Sequence, residues 1–214
     1  MLKKISLIGI SILLLMPTAQ AVILYDGDDS GNLTTPSSGA PFDSVARVCN
    51  NGGGNTAGSA VHIRGKYMLT ANHVQLRTHI TFDGITYLER DTSFNPIRIR
   101  TTDMKLIKLV QSPGLPATEL FSDNSGDTSV TTTLIGWGVG RDTGVNDSGA
   151  GSTNIWQWGN TGTLKKRWGT NTIAASGSGE VTTGTNYDYL ITYLDRNAGI
   201  NEAAATLYDS GSGL

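Results

Sequence analysis

The 214 residues carry 16 Lys and Arg against 18 Asp and Glu, a net charge of −2 that gives no electrostatic reason to bind nucleic acid or an anionic membrane. The length allows one domain or two small ones with a real core. With 27 glycines, abundant Thr, Ser and Asn and only 16% charged residues, the chain predicts many short strands joined by turns, and neither a helical bundle nor a disordered polypeptide.

The first 21 residues read as a secretory signal peptide. Met1-Leu2-Lys3-Lys4 is a basic start, Ile5 to Leu15 a short apolar run, and Ala19-Gln20-Ala21 a small-residue cleavage site. The apolar run is too short to span a bilayer comfortably as an anchor. A mature chain starting at Val22, secreted or periplasmic and without stable membrane insertion, is therefore expected. Residues 22–44, rich in Asp, Gly, Ser, Thr and Pro, predict a leader with little regular structure. Within it Asp26-Gly27-Asp28-Asp29-Ser30-Gly31 is similar to the first half of a calcium loop, but Ser37 stands where the closing glutamate belongs. A solvated turn is the better reading.

Short runs with apolar alternation then predict strands at 45–48, 59–63, 66–70, 79–82, 85–88, 96–100 and 104–110, an antiparallel sheet closing into a barrel over residues 45–112. Gln111-Ser112-Pro113-Gly114-Leu115-Pro116 interrupts regular structure and predicts a connector over 113–119. Residues 120–214 form the second half, with strands expected at 130–137, 164–168, 172–175, 189–193 and 203–208 and loops over 138–151 and 177–184. Cys49 is the only cysteine, so internal disulfides are excluded and stability must come from packing and hydrogen bonding. It reads as a small buried apolar residue rather than a nucleophile.

Near the C-terminus Asp209-Ser210-Gly211 places a serine in a turn of small residues. A reactive serine needs a base within reach and a group that holds the base in the right tautomer. Of the three histidines, His73 follows an apolar strand in Leu69-Thr70-Ala71-Asn72-His73, whereas His79 has no such context and His62 alternates with Val61 and Ile63. None has zinc spacing. Asp103, ahead of Met104-Lys105-Leu106-Ile107-Lys108-Leu109, is the candidate carboxylate, with Asp91 in a polar stretch as its competitor.

Together these two segments, Gly136-Trp137-Gly138 and Asp209-Ser210-Gly211 resemble the chymotrypsin/trypsin-family serine proteases, peptidase S1, over roughly Val45 to Leu214. The order His, Asp, Ser separates this pattern from the subtilisin and α/β-hydrolase arrangements. The resemblance implies an all-β fold of two six-stranded antiparallel β-barrels, the second incomplete because the sequence stops four residues after Ser210. It also implies a serine endopeptidase acting on protein or peptide substrates without a cofactor or metal. In it Ser210 would be the nucleophile, His73 the general base and Asp103 its orienting carboxylate.

By the same resemblance the backbone N–H groups of Tyr208 and Ser210 would form the oxyanion hole. Ala204 would lie at the base of the substrate pocket, where a small neutral residue favours apolar or small side chains. Val74 stands where animal trypsins commonly carry cysteine, as in bacterial relatives, and Lys105 replaces a usually small residue. Tyr208 replaces the usual glycine, and holding it in that backbone conformation would cost about 1–3 kcal/mol. No Ile-Val-Gly-Gly segment near the start supplies an activation terminus for Asp209. The alternative reading is a non-catalytic protease-fold binding protein or a truncated, inactive relative.

Overall fold

The computed structural model describes residues 23–24, 32–100, 102–119, 129–140, 162, 164–182, 185–192 and 203–204. Among these the regular structure is β apart from short 3₁₀ turns, such as Phe42–Ser44 and Asn51–Gly53. No helix among them is long and apolar enough to cross a membrane.

Seven strands form one sheet: β2 (Val45–Cys49), β3 (Gly58–Arg64), β4 (Tyr67–Ala71), β5 (His79–Thr81), β6 (Leu88–Glu89), β7 (Ile97–Arg98) and β8 (Met104–Lys108). Their order is β6-β5-β2-β3-β4-β8-β7, and every pairing is antiparallel. The sheet then curls shut. Beyond β6, Arg90 bridges Leu109 beyond β8, and Asp91 N–H to Lys108 C=O (2.8 Å) and Val110 N–H to Glu89 C=O (3.0 Å) continue that seam. Closure removes the exposed edges that an open sheet would leave.

The barrel interior is filled by Ala46, Val48, Ala60, Met68, Ile80, Ile107 and Leu109, with Val74 closing one end. The alternation in β4 and β8 follows from this, since Met68 and Ile107 point inward while Leu69 and Leu106 between inward residues are only partly covered. β2 is different: all five of its residues are buried. Ala46 and Val48 face the barrel, while Val45 packs outward with Phe42, Ile135 and Trp137. A strand covered on both faces needs a second layer.

That layer is a three-stranded antiparallel sheet, order β11-β10-β9, of β9 (Thr131–Gly138), β10 (Lys165–Thr182) and β11 (Thr185–Thr192). Ser59 on β3 staples the two sheets, its Oγ accepting from Trp137 N–H at 2.8 Å, and the Trp137 indole donates to Val45 C=O at 3.3 Å. β1 (Ile23–Leu24) pairs with β12 (Ala203–Ala204), so two residues of the expected leader are strand.

Three strand expectations shift for local reasons. The run expected from Ile85 begins only at Leu88, because one Asp83 carboxylate oxygen collects Ile85 N–H and Thr86 N–H (both 2.8 Å) and withdraws them from the ladder. The run expected over 96–100 shortens to Ile97–Arg98: Pro96 has no N–H to give, and Arg100 sits at φ 49° as the chain turns. The loop expected over 177–184 is instead largely strand. Gly177 pairs with Tyr189 and Gly179 with Tyr187, so cross-strand pairing carries β10 through small residues of low strand propensity.

Ile107 is fully buried at the barrel centre. Ile107→Ala should lower the unfolding free energy by about 2–5 kcal/mol, read from urea denaturation. Burial pushes the Asp83 carboxyl up, but the hydrogen bonds from Ile85, Thr86 and Thr81 outweigh it and hold it at about 2; hydrogen bonds from Ser93 and Lys108 do the same to Asp91. Both folded values lie below the ordinary 3.8, so the stability they contribute is complete above pH 3.8 and is lost as pH falls toward about 2. Denaturation midpoints measured across that window should fall, and Asp83→Asn should flatten part of the slope.

Candidate active site

The register of β4 against β8 builds the site. Ala71 pairs with Met104, so the residues just past β4 lie against the residue just before β8. Asn72 N–H donates to Asp103 C=O at 2.8 Å, which extends the ladder by one bond. His73 then turns back over the end of β8. Its backbone N–H donates to Asp103 Oδ1 at 3.1 Å, and its ring Nδ1 meets Asp103 Oδ2. Each carboxylate oxygen therefore has its own donor from one residue. Val74 N–H to Ala71 C=O (3.1 Å) closes the turn, and the buried Val74 side chain anchors it in the barrel core.

An acceptor-only carboxylate against Nδ1 assigns the proton to Nδ1 and leaves the Nε2 lone pair available. The His73 side chain is 56% exposed and that of Asp103 23%, so the carboxylate sits partly behind the ring while the ring stays open to a reactant. The chemistry available is a general base: an imidazole held in one tautomer, with a carboxylate placed to stabilise its cation.

Lys105 adds a feature that its residue type alone does not announce. It is buried, and its ammonium donates to Asn72 C=O at 2.7 Å and to Val74 C=O at 2.6 Å, one carbonyl on each side of His73. Burial pushes its pKa down, the Asp103 charge pulls it up and Arg90 pulls it down. The sequence signals were its departure from the usually small residue and a cation at an alternating position of β8, where the strand pattern calls for an apolar residue.

The remaining candidates divide cleanly. Asp91 accepts from Ser93 Oγ at 2.6 Å and pairs with Lys108 at 3.0 Å, so Asp103, not Asp91, meets the histidine. His62 is fully buried, its Nε2 3.2 Å from Gly65 C=O, and the Nδ1 of His79 lies 2.9 Å from Thr78 Oγ1. Cys49 is a buried free thiol, pushed up by burial although neighbouring Arg47 pulls the other way. Ala204 lies in β12 opposite Ile23. Ser210 and Tyr208 lie outside the described residues, as do Asp26 to Gly31. Among the described residues no group of three His, Cys, Asp or Glu could hold a metal ion.

No family model and no curated protein sequence matches this chain. Among solved structures it is similar to one described as the Rv3671c protease in an inactive form, at 14% identity and a TM-score of 0.49, over 92% of this chain and 80% of that one. It is also similar to human heparin binding protein (14% identity, TM-score 0.44, 71% and 76% covered). A third is a Glu endopeptidase in complex with MPD (12% identity, TM-score 0.41, 91% and 90% covered). The His73–Asp103 geometry, rather than these distant likenesses, bears the functional weight.

Lys105→Met would leave the Asn72 and Val74 carbonyls without their charged donor. A loss of about 1–3 kcal/mol in unfolding free energy is expected from chemical denaturation, with a smaller loss for Lys105→Arg, which can still donate.

Proposed function

We propose that the chain is an exported serine endopeptidase whose general base is His73, oriented by Asp103, and whose nucleophile is Ser210. The observation that supports it most is the two-point seating of His73 on one carboxylate, which presents Nε2 as the open, basic nitrogen. Nε2 takes the Ser210 proton as Oγ attacks a peptide carbonyl carbon, and the resulting imidazolium is stabilised by Asp103. It then gives that proton to the leaving amine, so that an acyl-enzyme forms, and water repeats the cycle to release the acid.

The backbone N–H groups of Tyr208 and Ser210 would receive the oxyanion, and Ala204 would set a preference for small or apolar side chains. The basic start, apolar run and Ala-x-Ala site of residues 1–21 support export to the periplasm or the medium, with removal of that segment. The second reading is a non-catalytic binding protein. It is favoured by Tyr208, since a side chain at that position hinders the backbone conformation that an oxyanion donor requires.

A fluorophosphonate probe distinguishes the two. The peptidase should take up a single adduct, seen in the intact mass, that disappears in Ser210→Ala. Asp103→Asn should cut turnover of a peptide substrate by about 10⁴-fold, the loss found when the orienting carboxylate of such a triad is replaced. A folded protein that takes up no probe would overturn the peptidase reading and select the binding one.

A further inference from the structure

Away from the dyad, a cavity of about 550 Å³ opens where the first barrel meets the second sheet. Its lining is mixed: Phe42, Phe82 and Trp137 stand beside the charged Arg47, Lys165, Lys166, Asp43 and Asp83. Arg47 and Lys166 are each only 9% exposed. Both pack on the same ring: Arg47 Cζ is 5.7 Å and Lys166 Nζ 5.8 Å from the centre of Trp137, and Lys166 is 4.5 Å from that of Phe42.

Two cations buried against one indole lose hydration, so a counter-anion in contact is the expected compensation. Among the described residues none is there. Among the described residues the ion pairs His73–Asp103 and Lys108–Asp91 involve neither of these cations. Lys166 donates to the carbonyls of Phe42 (3.0 Å) and Val45 (3.2 Å), which leaves one ammonium proton unassigned. Arg47 gives Nη2 to Gly53 C=O and has a side-chain hydrogen bond with Cys49, while its buried Nε has no partner.

At Gly53, φ 82°, an added Cβ would meet the ends of the Arg47 and Tyr87 side chains. The acids facing the cavity, Asp43 and Asp83, attract Lys166 without reaching it, and burial still lowers its ammonium to about 8. Three of Asp83's hydrogen bonds converge on a single oxygen in its own turn. Cys49, raised by burial, stays an uncharged thiol.

We propose that this cavity binds a small carboxylate with an apolar body, its oxyanion held by the Arg47 guanidinium and Lys166 Nζ and its body against Trp137, Phe42 and Phe82. The site requires nothing of Ser210 or His73, so it stands or falls separately from the peptidase reading. Charge-assisted bonds from a guanidinium and an ammonium suit a carboxylate, and the aromatic walls reject a fully hydrated ion.

The test is titration of the intact exported protein with benzoate, acetate and inorganic phosphate, followed by calorimetry and by the NMR resonance of the Arg47 Nε–H. Saturable benzoate binding is expected, tighter than acetate or phosphate, with a shift of the Nε–H signal. It should weaken by about tenfold or more in Arg47→Gln and in Lys166→Gln, the scale of one lost charge-assisted bond. Should either variant fail to fold, the wild-type Nε–H resonance still decides. An unmoved Nε–H, no saturable benzoate binding, or phosphate binding tighter than benzoate would each overturn the proposal.

Discussion

The structure depends on the antiparallel register of β4 against β8. Five consecutive pairs, from Tyr67 with Lys108 to Ala71 with Met104, fix how the two strands slide, and Met68 beside Ile107 in the core locks the alternation. A slip of one residue would turn both apolar sets outward and carry Asp103 away from His73. Core packing and site geometry are therefore the same constraint. The barrel's hydrophobic order sets the position of a carboxylate that is only 23% exposed, and the carboxylate sets the tautomer of the imidazole.

The second organising feature is that β2 is buried on both faces. Its inner face belongs to the barrel core and its outer face to the cluster with Phe42, Ile135 and Trp137. Arg47 lies on this strand and Lys166 on β10, so both cations occupy a layer that packing has removed from water. Covering them is favourable for the apolar neighbours and unfavourable for the charges. Carbonyl acceptors and the Trp137 and Phe42 rings offset part of that cost. The same layer holds Ser59, whose hydroxyl satisfies the Trp137 backbone N–H deep between the two sheets.

Much of this was legible before folding is considered. Alternation located β3 to β5 and β8 within a residue or two of their ends, because each has one face against the barrel core, and apolar content located β2, whose two faces are both covered. It failed where side chains or backbone geometry compete with the ladder, at Asp83, at Pro96 and Arg100, and along β10, whose glycines read as a loop until β11 pairs with them. His73 and Asp103 were visible as a histidine and a carboxylate at strand ends. Lys105 was visible as a departure from the family pattern and Lys166 only as a lysine, since a cation at a strand position carries no mark of what it will cap.

The sequence by itself determined the inventory: one base candidate in a strand-end context, two rival carboxylates, a single cysteine, a net charge of only −2 and a composition that favours strands over helices. Tertiary structure decided the choices among them. Residues 73 and 103 are 30 positions apart, and only the closed sheet brings that carboxylate to the imidazole while Lys108 claims Asp91. It also decided that Arg47 and Lys166 share one tryptophan although 119 positions separate them in the chain (166 − 47 = 119). Local sequence sets which groups can react, whereas burial and proximity across the chain arise only when the two sheets pack against opposite faces of β2.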